Sequence, residues 1–216
     1  MGITKALQSD LLKEWLNPSF LDEQTINKLK TDFKENKPFE HLEIKHFLKE
    51  DKINELIEAL ANEEFIQKES DLFKLKQTND LKSSSNKTIE AFRSFLISEP
   101  FITFMEHLTD LKIKPSTVDL AGTLYEYTDY LLCHDDQLEG RSIAFLLYLT
   151  DLEEREGGTL SLLESNFETP TKVTRRITPK TNTFAFFKVT NRSFHEVEEV
   201  IVKKQRVAFG GWFHGR

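Results

Sequence analysis

Tyr130-Leu-Leu-Cys-His-Asp-Asp-Gln-Leu-Glu-Gly-Arg-Ser-Ile-Ala-Phe-Leu-Leu-Tyr-Leu149 reads as strand, turn, strand. One short run ends at His134, the turn signal Glu139-Gly140 follows, and Ile143 to Leu149 is a second run rich in apolar and aromatic residues. Working outward, the same pattern repeats over Thr117–Tyr127, Thr159–Leu163, Lys172–Ile177, Thr183–Val189 and Gln205–Phe213. Turn signals at Gly157-Gly158, Thr178-Pro179-Lys180 and Thr190-Asn191-Arg192 separate these runs. No alternation of strand with helix occurs here, so short antiparallel strands with tight connections predict a barrel or jelly roll. Phe184-Ala185-Phe186-Phe187 is apolar throughout and predicts a central strand buried on both faces.

Before Lys114-Pro115 the periodicity is different. Ile53, Leu56, Ile57 and Leu60, and separately Ile26, Leu29 and Phe33, share helical faces. Ala91, Phe95 and Ile102 mark a further helical region, interrupted at Ser98-Glu99-Pro100 because proline disfavours helix in the residue before it. Phe39 to Ile44 alternates as a short strand would, and Lys82 to Lys87 reads as a loop. The expected class is α+β. Residues 1–113 form a mainly helical region supporting a barrel core of residues 114–216, the two together making one catalytic domain.

The composition fits this reading and excludes others. Eighteen Phe residues among 216 supply a sizeable core. A net charge of -7 argues against sequence-independent nucleic-acid binding, which needs clustered cations. The basic patches are Lys203-Lys204 with Arg206, and Arg175-Arg176. A single cysteine, Cys133, allows no intrachain disulfide and fits a reducing compartment. No run approaches the roughly 18 apolar residues of a membrane helix. The first ten residues lack the apolar core of a signal peptide. The expected location is the cytoplasm, or the nucleus in a eukaryotic cell.

His134 and Asp136 are two apart at a strand end, where residues i and i+2 point to one side and an imidazole and a carboxylate can converge on one cation. Asp135 would point away. His195, in Ser193-Phe194-His195-Glu196-Val197, is the expected third ligand. Two histidines and one carboxylate with open positions form the ligand set of non-haem iron(II) oxygenases. Arg206, on the last strand, suits a bidentate pair with a carboxylate of a dicarboxylic cosubstrate. A His-x-Asp triplet alone is weak: His41-Leu42-Glu43 offers similar chemistry but is expected in the helical half, with no barrel strand around it. His46 and His107 read as surface or helix-flanking residues. The order His-x-Asp, barrel strands, His, then Arg is what carries the assignment.

Residues 130–141 and 143–149, Gly-Gly-Thr-Leu (157–160), Ser-Phe-His-Glu-Val (193–197) and Gly-Trp-Phe-His-Gly (211–215) resemble the ribosomal prolyl-hydroxylase family. Asp71-Leu72-Phe73-Lys74 and Asn79-Asp80-Leu81 resemble it more loosely. The resemblance implies a double-stranded β-helix, jelly-roll and cupin-like, with N-terminal helices packed on its outer sheet. It implies Fe(II) on His134, Asp136 and His195, 2-oxoglutarate on Arg206 and Tyr148, O2 as cosubstrate and ascorbate as reductant. Leu160 and Val197 would line the cosubstrate pocket, with Tyr125 or Tyr127 facing it. Trp212 would stand near the substrate, a proline in a loop of a small-subunit ribosomal protein. Family members from eukaryotes carry a second, non-catalytic barrel that this sequence does not show. Rival readings are the same chemistry on another protein such as a translation factor, an inactive barrel serving as a binding module, and a cupin-like metalloprotein without 2-oxoglutarate. Arg206 discriminates against the last.

Overall fold

Side-chain caps divide the first half of the chain into helices. The computed structural model describes residues 1–216, with α1 (Ile3–Leu7), α2 (Asp10–Trp15), α3 (Glu23–Glu35), α4 (Glu50–Ala61), α5 (Lys87–Leu96) and α6 (Glu99–Thr109). Ser9, Asp22, Asn86 and Ser98 each accept a backbone N–H of the following first turn. Pro100 lies in the first turn of α6, where its missing N–H costs nothing, so the interruption at Ser98-Glu99-Pro100 is a capped restart. No helix is long and apolar enough to cross a membrane.

The strands are β1 (His41–Ile44), β2 (Ile66–Glu69), β3 (Phe73–Gln77), β4 (Ile113–Tyr125), β5 (Tyr130–His134), β6 (Arg141–Tyr148), β7 (Leu160–Asn166), β8 (Thr169–Ile177), β9 (Thr183–Lys188), β10 (His195–Val197) and β11 (Arg206–Gly215). Their order is β1-β9-β6-β11-β4-β3-β5-β10-β7-β8, with β2 added to β3 and every pairing antiparallel. The run β9-β6-β11-β4 and the run β5-β10-β7-β8 are the two four-stranded sheets of a double-stranded β-helix, bridged by β3.

Period-two alternation gives the first sheet two different faces. Ile143, Phe145 and Leu147 of β6, Phe184 and Phe186 of β9, and Phe209 and Phe213 of β11 join the helices in one large cluster. Ala144, Tyr148, Ala185, Phe187 and Ala208 face the opposite way and meet Leu160, Leu162 and Ile177 of the second sheet. The Phe-rich strand is therefore buried on both faces. Phe184 stacks on Phe47 at 4.5 Å and Phe186 on Phe33 at 5.5 Å. Phe184→Ala should cost about 3–5 kcal/mol, the usual price of a large cavity where neighbours relax only partly. A shift of the urea midpoint well below that range would mean the helices are not seated on this face.

The N-terminal half is less purely helical than the sequence reading had it. Strands β1 and β3 join the barrel sheets, because their free backbone groups find partners on β9, β4 and β5, and β2 is added to β3 as a hairpin partner. His41-Leu42-Glu43 is therefore inside the barrel architecture, as edge strand β1. His41 is buried, with Nδ1 2.8 Å from the Phe39 carbonyl.

Candidate metal centre

Antiparallel register brings two distant histidines together. His134, at the end of β5, lies directly opposite His195, the first residue of β10. Their ring centroids are 4.2 Å apart. Nδ1 of His134 lies 2.8 Å from the Leu132 carbonyl and Nδ1 of His195 lies 2.9 Å from the Ser193 carbonyl. A carbonyl can only accept, so both rings carry the proton on Nδ1 and turn Nε2 toward each other's partner. That partner is Asp136: Oδ1 is 3.3 Å from His134 Nε2 and Oδ2 is 3.4 Å from His195 Nε2. One atom from each residue lies within 4.8 Å of the others. Ligands roughly 2 Å from a common metal sit about 3 Å apart, so three neutral-or-anionic donors at this spacing fit a divalent cation. Burial raises the Asp136 carboxyl, while His134 and His195, when doubly protonated, lower it well below the ordinary range.

The convergence is not produced by strand alternation as the spacing suggested. Asp136 has φ 61°, in the left-handed region that aspartate tolerates, so the chain turns back after β5 instead of continuing extended. Asp135 does point away, accepting from the Gln137 N–H at 3.1 Å.

A cavity of about 590 Å³ opens beside the triad, lined among others by Tyr125, Leu160, Val197, Arg206 and Trp212. Arg206 is 0% exposed. Its Nε donates to the Gly158 carbonyl at 2.6 Å and Nη2 reaches the Tyr148 hydroxyl at 3.4 Å. The guanidinium lies 4.9 Å and 5.1 Å from the Tyr125 and Tyr148 ring centroids. No carboxylate lies within 4.0 Å of it. A buried cation without a counter-charge is costly and selects an incoming anion. Gly158 (φ 68°) makes this seat possible, since a Cβ there would press on Arg206 Cδ at 3.1 Å. Gly211 lets β11 approach β4 closely, because a Cβ would stand 1.8 Å from the Asp119 carbonyl oxygen.

Several sequence assignments change. Arg206 is no part of a surface patch with Lys203 and Lys204; it opens β11 facing inward, while Arg175 and Arg176 are paired with Glu43 and Glu198. Tyr125 lines the cavity, but Tyr127 is 55% exposed, because β4 ends at Tyr125 and residue 127 lies in the following turn. Tyr148 stands behind Arg206 and does not line the cavity. Two contacts were not read from sequence: Trp212 Nε1 donates to Asp136 Oδ2 at 3.0 Å, and the Arg141 guanidinium covers the Trp212 ring at 3.5 Å. Inward parity with Arg206 along β11 was the available signal for Trp212; Arg141 had none.

A two-histidine, one-carboxylate triad with open positions is the ligand set on which non-haem iron(II) oxygenases are built. Residues 120–214 match the model of the 2OG-Fe(II) oxygenase superfamily. It is 40% identical to prolyl 3-hydroxylase OGFOD1 of Xenopus laevis over 183 residues, 82% of this chain and 35% of that protein. It is 31% identical to prolyl 3-hydroxylase sudestada1 of Drosophila melanogaster over 228 residues, 99% of this chain and 42% of that protein. The chain thus spans about a third to two fifths of these relatives' length. Its fold is also that of the solved prolyl hydroxylase in complex with hypoxia inducible factor oxygen degradation domain peptide fragment from Trichoplax adhaerens, with a TM-score of 0.71 at 18% identity, covering 89% of this chain and 90% of that one.

Proposed function

We propose that the chain is an iron(II)- and 2-oxoglutarate-dependent hydroxylase of a prolyl residue in a protein, with a loop of the twelfth small-subunit ribosomal protein as its target. The observation that carries the chemistry is the buried Arg206 guanidinium, without a counter-ion, in the same cavity as the His134, Asp136 and His195 side chains. The prolyl target rests on the 40% identity to a prolyl 3-hydroxylase and on the sequence resemblance around His134 and His195.

His134, Asp136 and His195 would hold Fe(II), which when bound supplies oxygen activation coupled to decarboxylation of 2-oxoglutarate. Arg206 would bind the distal carboxylate through guanidinium hydrogens left free by Gly158 and Tyr148. Burial pushes the Tyr125 phenol up to about 12, so it stays protonated at neutral pH and can donate to the cosubstrate. Leu160, Val197 and Phe187 exclude water from that side of the cavity. Proline fixes its own φ, so a loop presents a ring C–H bond at low entropic cost. Trp212 and Leu72 line the cavity and would flank such a loop. Ascorbate would keep the iron ferrous. A ribosomal target places the reaction in the cytoplasm, or in the nucleus of a nucleated cell.

The protein with Fe(II), 2-oxoglutarate, ascorbate and the ribosomal loop peptide should add one oxygen atom to proline and none to the proline-to-alanine peptide. Steady 2-oxoglutarate turnover with neither that peptide nor the whole ribosomal protein oxidised would overturn the target and leave the chemistry.

A further inference from the structure

The three side chains of the triad are not held in the same way. His134 and His195 are each braced by a carbonyl two residues back in their own segment. Asp136 has no such brace. It lies beyond the end of β5 with φ 61°, and a carboxylate there is free to rotate about its last torsion. Its support comes from 76 residues away: Trp212 Nε1 donates to Oδ2 at 3.0 Å. Arg141, five residues beyond Asp136, lays its guanidinium 3.5 Å over the same indole and brings Nη1 to 3.7 Å from Oδ1. Neither group has another hydrogen-bond or ion-pair partner among the side chains. The stack fixes the plane of the ring, and with it the direction of the N–H.

We propose that Trp212 and Arg141 are positioning residues for Asp136, holding its carboxylate so that it meets the metal through one oxygen. The proposal rests on the metal-centre reading above. Its physical basis is occupancy: an N–H on one oxygen and a cation beside the other oppose the rotation that would let both oxygens chelate. A second bound oxygen would take a coordination position that the cosubstrate and oxygen need. Partners of metal ligands act in this way in general, and their loss weakens metal binding.

The test separates this role from Trp212 simply walling the cavity. Trp212→Phe keeps a ring for Arg141 to cover and removes only the N–H. Titrated with Co(II), the Trp212→Phe protein should bind roughly 10–100-fold more weakly than wild type. The visible ligand-field spectrum of the cobalt protein should change, reporting a different coordination number. Arg141→Met, which keeps much of the side-chain length without the charge, should shift affinity and spectrum the same way, and it is read whether or not Trp212→Phe folds. Circular dichroism identifies folded variants. A folded variant with wild-type Co(II) affinity and an unchanged spectrum would overturn the proposal alone. His134→Ala, run in the same titration, should bind no Co(II); wild-type binding by that variant would overturn the metal-centre reading and this proposal with it.

Discussion

His134→Ala and Asp136→Ala should each lose stoichiometric iron(II) binding and all hydroxylation. A three-ligand site has no spare protein donor, and the removed groups sit 3.3 Å from each other with His195 as the only remaining neighbour of the right chemistry. The effect should be on metal and not on the fold, because both side chains lie at a strand end and in a turn that open onto the cavity. His41→Ala is the informative contrast. His41 is a buried histidine beside a carboxylate in the same β architecture, yet it gathers no second and third ligand. Iron binding by His41→Ala should equal wild type while its unfolding midpoint falls, since a well-packed side chain and its hydrogen bond to Phe39 are lost. Iron-dependent turnover surviving in Asp136→Ala would remove the triad assignment.

Arg206→Ala should leave the metal bound and weaken 2-oxoglutarate by about 2–5 kcal/mol, the usual cost of truncating one partner of a buried charge pair. The side chain touches Gly158, Tyr125 and Tyr148 but none of the triad, so the two sites separate cleanly. Arg206→Lys should recover only part of the loss. An ammonium is a compact point charge and cannot offer the planar fork that a carboxylate accepts. Calorimetric titration of 2-oxoglutarate into the iron-free, Co(II)-loaded variants reads this directly, and N-oxalylglycine should compete for the same site. Equal 2-oxoglutarate affinity in wild type and Arg206→Ala would place the anchor elsewhere.

Much of this was legible in the sequence because the second half of the chain repeats a strong signal. Residues 143–149 and 183–188 alternate between helix-facing and barrel-facing side chains, and both periods survive in the structure. Strands β2 and β3 were not legible. Ile66-Gln67-Lys68-Glu69 is exposed at every position, so no buried face marks it, and pairing across the hairpin alone makes it a strand. Arg206 follows Lys203 and Lys204 in a basic run, yet its place on the last strand already marked it as a carboxylate partner. Parity along β11 agrees: Arg206, Ala208, Gly210 and Trp212 share one side, while Phe209 and Phe213 pack against the helices. The backbone reversal at Asp136 leaves no such trace. Aspartate is only mildly favoured at positive φ, and the indole that braces it arrives through β11.

The central claim is that this triad and arginine together oxidise 2-oxoglutarate in step with a prolyl peptide. The most direct measurement is succinate formed by the purified chain with iron(II), 2-oxoglutarate and oxygen, counted against oxygen incorporated into the peptide. The account predicts one succinate per hydroxylated proline, with both products absent in His134→Ala and strongly reduced in Arg206→Ala. Peptide hydroxylation that continues without 2-oxoglutarate, or with Arg206 and His134 both replaced, would contradict it.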